Sequence, residues 1–284
     1  MPKHIRRIGL PAALLLALAG LGLILSCTTQ RMAPSGAKSS APKADLSRYQ
    51  VGDLKSGYVF ATAETREMMD DDFNNPSFLW VQQGEALWTK AEGEAGKSCA
   101  SCHGAAEKAM RGVGAAYPKF DPKLNKLINI EQRINTCRVE NMKAPAWKWE
   151  SDPLLGMTAY VKLQSRGMPV HVAIDGPARP FWERGKAFYE QRRGQLDMAC
   201  ANCHVDNPGK MIRAEVLSQG QSNGFPTYRL KWQKLGSLHR RFSGCNDEIR
   251  AENYPLGSDE YVNLELYVAS RGQGLAVESP SVRK

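Results

Sequence analysis

Cys99-Ala100-Ser101-Cys102-His103 and Cys200-Ala201-Asn202-Cys203-His204 decide how this 284-residue chain is read. Each is a Cys-x-x-Cys-His stretch, the attachment site of a c-type haem. Two thiols at this spacing reach the two vinyl groups of one porphyrin and form thioethers, and the imidazole that follows lies under the iron as its proximal ligand. Zinc sites and thioredoxin-like pairs also use Cys-x-x-Cys, but neither needs a histidine straight after each motif. The sequence therefore predicts two covalently bound haem c groups. Cys99, Cys102, Cys200 and Cys203 attach them, and His103 and His204 are axial ligands.

Around these motifs the chain repeats itself. Gly84-Glu85-Ala86-Leu87-Trp88 and Gly185-Lys186-Ala187-Phe188-Tyr189 are offset by 101 residues, as are the two motifs. Cys137 and Cys245 are offset by 108, and Ser165-Arg166-Gly167 recurs as Ser270-Arg271-Gly272, offset by 105. Two copies of one module, the second carrying insertions, produce this pattern. The expected fold is mainly α: two tandem cytochrome c-like domains behind an irregular N-terminal extension. Asn75-Pro76 and Pro180 mark the starts of the first helices. The last helices should run from Ser151 or Asp152 to Gly167 and from Ser258-Asp259-Glu260 to Gly272, each ending at a glycine cap. Gly84 with Trp88, and Gly185 with Tyr189, suit the crossing of first and last helix. The divisions read as a signal peptide at 1–26, a tether and extension at 27–75, domain 1 at 76–170, a linker at 171–177 and domain 2 at 178–284. Within the extension, Ser56 to Phe60 reads as a short strand and Asp70-Asp71-Asp72 as a solvated turn. The tail after Leu275 reads as frayed.

The first residues predict export. Lys3, Arg6 and Arg7 precede an apolar run from Leu14 to Leu25, too short and too early for a membrane span. The run ends in Ile24-Leu25-Ser26-Cys27, which resembles a lipoprotein box, although Leu25 is bulky for its position. Lipidation of Cys27 and ordinary cleavage nearby both place the mature protein outside the cytoplasmic membrane, in the periplasm, where c-type haems are attached. Loss of 1–26 lowers the formal charge from +9 to +6, and haem propionates would lower it further. That modest excess suits an acidic partner, and no basic tract with interleaved aromatics points to nucleic acid.

What completes each iron decides the chemistry. Met142, Met157 and Met211 are available, but no methionine holds equivalent places in both copies. Cysteine does: Cys137 and Cys245 each fall in the stretch that normally supplies the distal ligand. A thiolate there donates strongly and stabilises Fe(III). The alternative is a Cys137–Cys245 disulfide, the default for two spare cysteines in an exported protein, which would have to join equivalent sites of two domains.

Two Cys-x-x-Cys-His domains, each with one downstream cysteine, and the segment Arg240-Arg241-Phe242-Ser243-Gly244-Cys245-Asn246 resemble the dihaem SoxA family over about Leu46 to Gly272. The resemblance implies that His103 and Cys137 ligate the first haem and His204 and Cys245 the second. It implies that Cys245 is a catalytic cysteine persulfide and that Arg241, four residues before it, lies at the substrate site. It further implies conjugation of thiosulfate to a cysteine of a SoxYZ-like sulfur carrier. A SoxX-like monohaem cytochrome would be the heterodimer partner and a soluble cytochrome c the electron acceptor. Guanidinium suits thiosulfate, a small dianion, because its planar fork matches two oxygens. His239 stands nearby as a proton carrier or a structural histidine. A dihaem electron carrier without substrate chemistry, and a dihaem peroxidase, are the competing readings.

Overall fold

The computed structural model describes residues 45–284. The signal peptide, the Cys27 lipobox and most of the tether lie outside the described residues. The extension opens with a small hairpin of β1 (Gln50–Val51) and β2 (Leu54–Lys55) and ends in helix α1 (Ala63–Asp70). Ser56 to Phe60 is not a strand: Gly57–Phe60 is a 3-10 turn capped by the Ser56 hydroxyl, which accepts from the Tyr58 N–H. The acidic run is solvent-exposed and enters a turn at Asp72, as expected, and two of its carboxylates are paired. Asp70 accepts a 2.9 Å hydrogen bond from Tyr49, and Asp72 forms a two-pronged pair with Arg166 at 2.6 and 2.8 Å.

The main elements that follow occur twice in the same order, with α4 found only in the first set. The first set is α2 (Phe78–Thr89), α3 (Cys99–His103), α4 (Ala106–Ala109), a hairpin of β3 (Lys119–Asp121) and β4 (Lys126–Ile128), α5 (Ile130–Cys137) and α6 (Asp152–Leu163). The second is α7 (Arg179–Glu190), α8 (Cys200–His204), a hairpin of β5 (Met211–Ile212) and β6 (Glu215–Val216), a hairpin of β7 (Thr227–Arg229) and β8 (Lys234–Gly236), α9 (Leu238–Glu248) and α10 (Asp259–Arg271). Only the second set has β5–β6, which accounts for the seven extra residues between His204 and Pro226 relative to His103 and Pro118.

Local chemistry sets the helix starts. Ser258 caps α10 by accepting from the Tyr261 N–H, and Pro153 and Pro180 occupy first-turn positions of α6 and α7 where no N–H is needed. The crossings of α2 with α6 and of α7 with α10 depend on glycine. A methyl group on Gly84 would collide with the Gly156 carbonyl, and one on Gly185 with that of Asn263. Nothing larger than hydrogen allows the backbones this close.

The two β-hairpins interlock the repeats. Phe120 on β3 meets Phe181 on α7 with ring centres 5.9 Å apart, and Tyr228 on β7 meets Trp80 on α2 at 5.9 Å. Lys126 pairs with Asp259 at 2.9 Å and Lys234 with Asp152 at 3.0 Å, the equivalent exchange in each direction. Leu127, beside Phe120, is buried with Val262 and Leu266 of the other repeat. Residues 171–177 are consequently not a free linker: Val172 is buried, and the preceding Val170 donates its N–H to Leu275. The tail is not frayed. Its strand β9 (Ser281–Arg283) pairs in parallel with β7, burying Val282.

Candidate functional site

The first Cys-x-x-Cys-His stretch is the whole of α3. Ser98 caps it in a reciprocal box, accepting from the Ser101 N–H while the Ser101 hydroxyl accepts from its own. Cys99, Cys102, His103 and Cys137 line one cavity of about 350 Å³ whose other walls include Trp88, Val113, Ile130, Ile134, Met157 and Val161. Two thiols, an imidazole and a distal sulfur around an apolar cavity fit a haem c. Cys137 enters this cavity as the last residue of α5, whose start Asn129 fixes with a capping box to Gln132. Met142 and Met157 also line it, so cysteine is not the sole sulfur available there.

Burial raises the Cys137 thiol above its ordinary value, and Arg133 opposes this only in part. The reason is visible: Arg133 donates to Asp121 at 3.1 Å, which compensates its charge. Burial and the neighbouring Cys137 push the Cys99 thiol up to about 11. Such thiols are inert unless bonded or bound.

The second stretch is α8, preceded by Ala199, whose N–H donates to the Asn202 side chain at 2.9 Å. His204 is tightly held. Its Nδ1 donates to the Ser218 carbonyl at 2.8 Å, and the ring rests on Gly220, where a Cβ would come within 2.7 Å. A carbonyl only accepts, so Nδ1 carries the proton and Nε2 keeps the lone pair that could ligate a metal. His204 also lies near enough to Cys245 to lower its thiol. An oriented imidazole facing a sulfur fits an axial pair around a haem c.

Cys245 lies within α9, one turn after Arg241. Burial by itself would raise this thiol, but the Arg241 guanidinium, then His204 and, least of the three, Arg229 bring it down to about 7. Cys245 in turn, ahead of the opposing burial, holds the Arg241 guanidinium above its ordinary value. Cys200 is pushed up to about 12, by burial and by Cys245. All six cysteines of the described residues are free, and Cys137 and Cys245 belong to separate sites, so the disulfide alternative is not formed. Met211 is 61% exposed on β5 and faces no site.

Of the two roles open to it, His239 takes the structural one. His239 is 1% exposed: the Gly257 N–H donates to its Nδ1 at 3.0 Å, leaving Nε2 to donate to Glu265 at 3.0 Å, and Trp149 stacks on the ring. It fastens α9 to α10 and is closed to solvent, so it is no proton carrier for Cys245. Conversely, Arg229 escaped the sequence reading. The signal was present, since Asp121 and Arg133 in one repeat occupy the places of Arg229 and Arg241 in the other, both offset by 108.

Residues 83–170 match the family model described as SoxA/TsdA, cytochrome c domain. The chain is 48% identical over 231 residues to the L-cysteine S-thiosulfotransferase subunit SoxA of Rhodovulum sulfidophilum, covering 81% of this chain and 80% of that one. It is 51% identical over 230 residues to the protein of the same name from Pseudaminobacter salicylatoxidans, again covering 81% and 80%. This chain belongs to the SoxA family. The crystal structure of SoxXA from P. pantotrophus superposes with a TM-score of 0.79 at 50% identity, covering 81% of this chain and 87% of that chain. Membership in the SoxA family makes this chain a c-type cytochrome with covalently bound haem. Among its described residues no helix is long and apolar enough to cross a membrane.

Proposed function

We propose that this SoxA-family chain is a dihaem L-cysteine S-thiosulfotransferase subunit, built as two tandem cytochrome c domains, that joins thiosulfate to a cysteine of a sulfur-carrier protein. The observation that carries the reading is Cys245. It is the one distal cysteine lowered towards the thiolate, and an arginine without a hydrogen-bonded carboxylate lies beside it. The reaction balances as thiosulfate plus carrier thiol giving the carrier S-thiosulfonate, one proton and two electrons. Cys245, as a persulfide, takes up the sulfane end of thiosulfate or mediates its transfer. Arg241 holds the sulfonate end and offsets its charge. His204 orients towards the sulfur of Cys245, and Ser218 and Gly220 fix that orientation. The second haem, held by Cys200, Cys203, His204 and Cys245, would supply one-electron acceptor capacity beside the reacting sulfur. The first would be held by Cys99, Cys102, His103 and Cys137.

A SoxX-like monohaem cytochrome as heterodimer partner, a SoxYZ-like carrier, a soluble cytochrome c acceptor and a periplasmic location with the lipid-anchored Cys27 complete the proposal. The name of the SoxXA structure supports the first of these. The test replaces Cys245 by Met in the assembled, haem-loaded complex and follows carrier S-thiosulfonate by mass spectrometry. Loss of the adduct is expected. Conjugation at the full rate would show that this sulfur takes no part and leave a plain electron carrier.

A further inference from the structure

Arg229 is an unusual side chain for a cytochrome interior. It is 6% exposed, its Nη2 donates to Glu215 at 2.8 Å, and its Nε, also buried, has no hydrogen-bond partner among the described residues. A buried guanidinium N–H without an acceptor is costly, and such a group is ordinarily satisfied by a ligand. The strand holds the residue firmly, because β7 is the central strand of its sheet and Arg229 is registered between Lys234 on β8 and Arg283 on β9.

The first repeat shows what its position faces. There the equivalent residue is Asp121, and it meets Arg133, the equivalent of Arg241, at 3.1 Å. The hairpin and the following helix therefore bring these two positions together. In the second repeat the acid is replaced by Arg229, so two guanidinium groups converge where the first repeat has an ion pair. Two such groups repel unless an anion lies between them. Glu215 answers part of this charge, but it binds the Nη2 edge of Arg229 and also takes Lys231 at 2.9 Å. It comes from β5–β6, the hairpin that only the second repeat contains.

We propose that Arg229 is a second substrate-binding residue, closing with Arg241 on the sulfonate oxygens of thiosulfate at Cys245, and that Glu215 on the inserted hairpin is a positioning residue that fixes the guanidinium so that Nε faces the anion. This rests on the thiosulfate reading given above. A tetrahedral sulfonate has three oxygens, enough to serve both guanidinium groups, whereas a single arginine leaves at least one without a charged donor.

The test uses the assembled, haem-loaded complex and measures carrier conjugation against thiosulfate concentration for Arg229→Leu, Arg229→Lys and Arg241→Leu, with visible spectra and electron paramagnetic resonance of each. Arg229→Leu should raise the thiosulfate KM about tenfold to a hundredfold, the loss expected for one charge-assisted hydrogen-bonding group. Haem content and the low-spin signals should stay unchanged. Arg229→Lys, which keeps the charge without the fork and suits a strand that must still fold, should fall between. An unchanged KM in Arg229→Leu while Arg241→Leu remains defective would overturn the second binding residue and leave the thiosulfate reading intact. Lost haem or altered low-spin signals in both Arg229 variants would also overturn it, assigning the orphan N–H to a haem carboxylate instead. If neither Arg241→Leu nor Cys245→Met impairs conjugation, the thiosulfate reading itself fails.

Discussion

In the first repeat Arg133 is paired with Asp121, and the distal Cys137 thiol is raised by its burial. In the second, Arg241 has Arg229 at the place of that aspartate, and the distal Cys245 thiol is lowered to about 7. The surrounding elements are the same: a hairpin, a capped helix and a cysteine on it, each offset by 108 residues. The two thiols therefore differ chiefly through the neighbouring helix arginine and histidine, with the strand exchange of Asp121 for Arg229 adding to the difference. Fixed charges close to a buried thiol shift it more than small differences in packing do.

The sharpest way to break the comparison is to make one change at both cysteines. Cys245→Met should lower the rate of carrier conjugation at least about a thousandfold, as expected when a reacting group is removed. Cys137→Met should leave that rate within about threefold. Equal losses would mean that the two sites do not divide the work as their charges indicate. The arginines form the next contrast. Arg241→Leu should reduce kcat/KM for thiosulfate about tenfold to a hundredfold, while Arg133→Leu, which removes a guanidinium already neutralised by Asp121, should change it by less than about twofold.

Stability should treat the two repeats alike, which sharpens the comparison from the other side. Gly84→Ala and Gly185→Ala both force a methyl group against a backbone carbonyl at a helix crossing. Each should lower unfolding free energy by about 1–3 kcal/mol, read by denaturant titration of the holoprotein. A large difference between them would mean that one crossing is looser than its partner.

The smallest effect concerns Glu131 and His239, which also occupy equivalent places, the second residues of α5 and α9. Burial and the nearby Glu265 raise the Glu131 carboxyl from 4.5 to about 7. A folded-state value above the unfolded one means that stability is complete below about pH 4.5 and is lost as pH rises through about 7. Glu131→Gln should therefore gain on the order of 1 kcal/mol over the parent at pH 8 and little at pH 4. Thermal melting at both pH values checks this, and an equal change at both would show that the carboxyl does not titrate there.

Much of this was readable in the chain. That haem is covalently bound was legible in Cys-x-x-Cys-His, because thioether formation needs two thiols at that spacing. The repeat set the order of the helices, Ser258 capped the start of α10 and Gly272 followed its end, whereas Ser151 precedes α6 without capping it and α6 stops at Leu163, short of the expected Gly167. The crossing glycines were legible because only hydrogen permits such an approach. What was missed depends on partners distant in sequence. Residues 171–177 look like a linker until Val172 is found in the core, and the tail looks loose until β9 finds β7. His239 leaves both its roles open until Glu265 and Trp149 close around it.

The sequence by itself determined that haem is bound, that the motif and its surroundings recur along the chain and that each recurrence is followed by one further cysteine. These are properties of residues close together along the chain. Which of these two cysteines has its thiol lowered was decided only by the tertiary structure. The field at a thiol is the sum of charges that arrive from a helix, a strand and an inserted hairpin, and folding alone brings Arg241, Arg229 and Glu215 to one place.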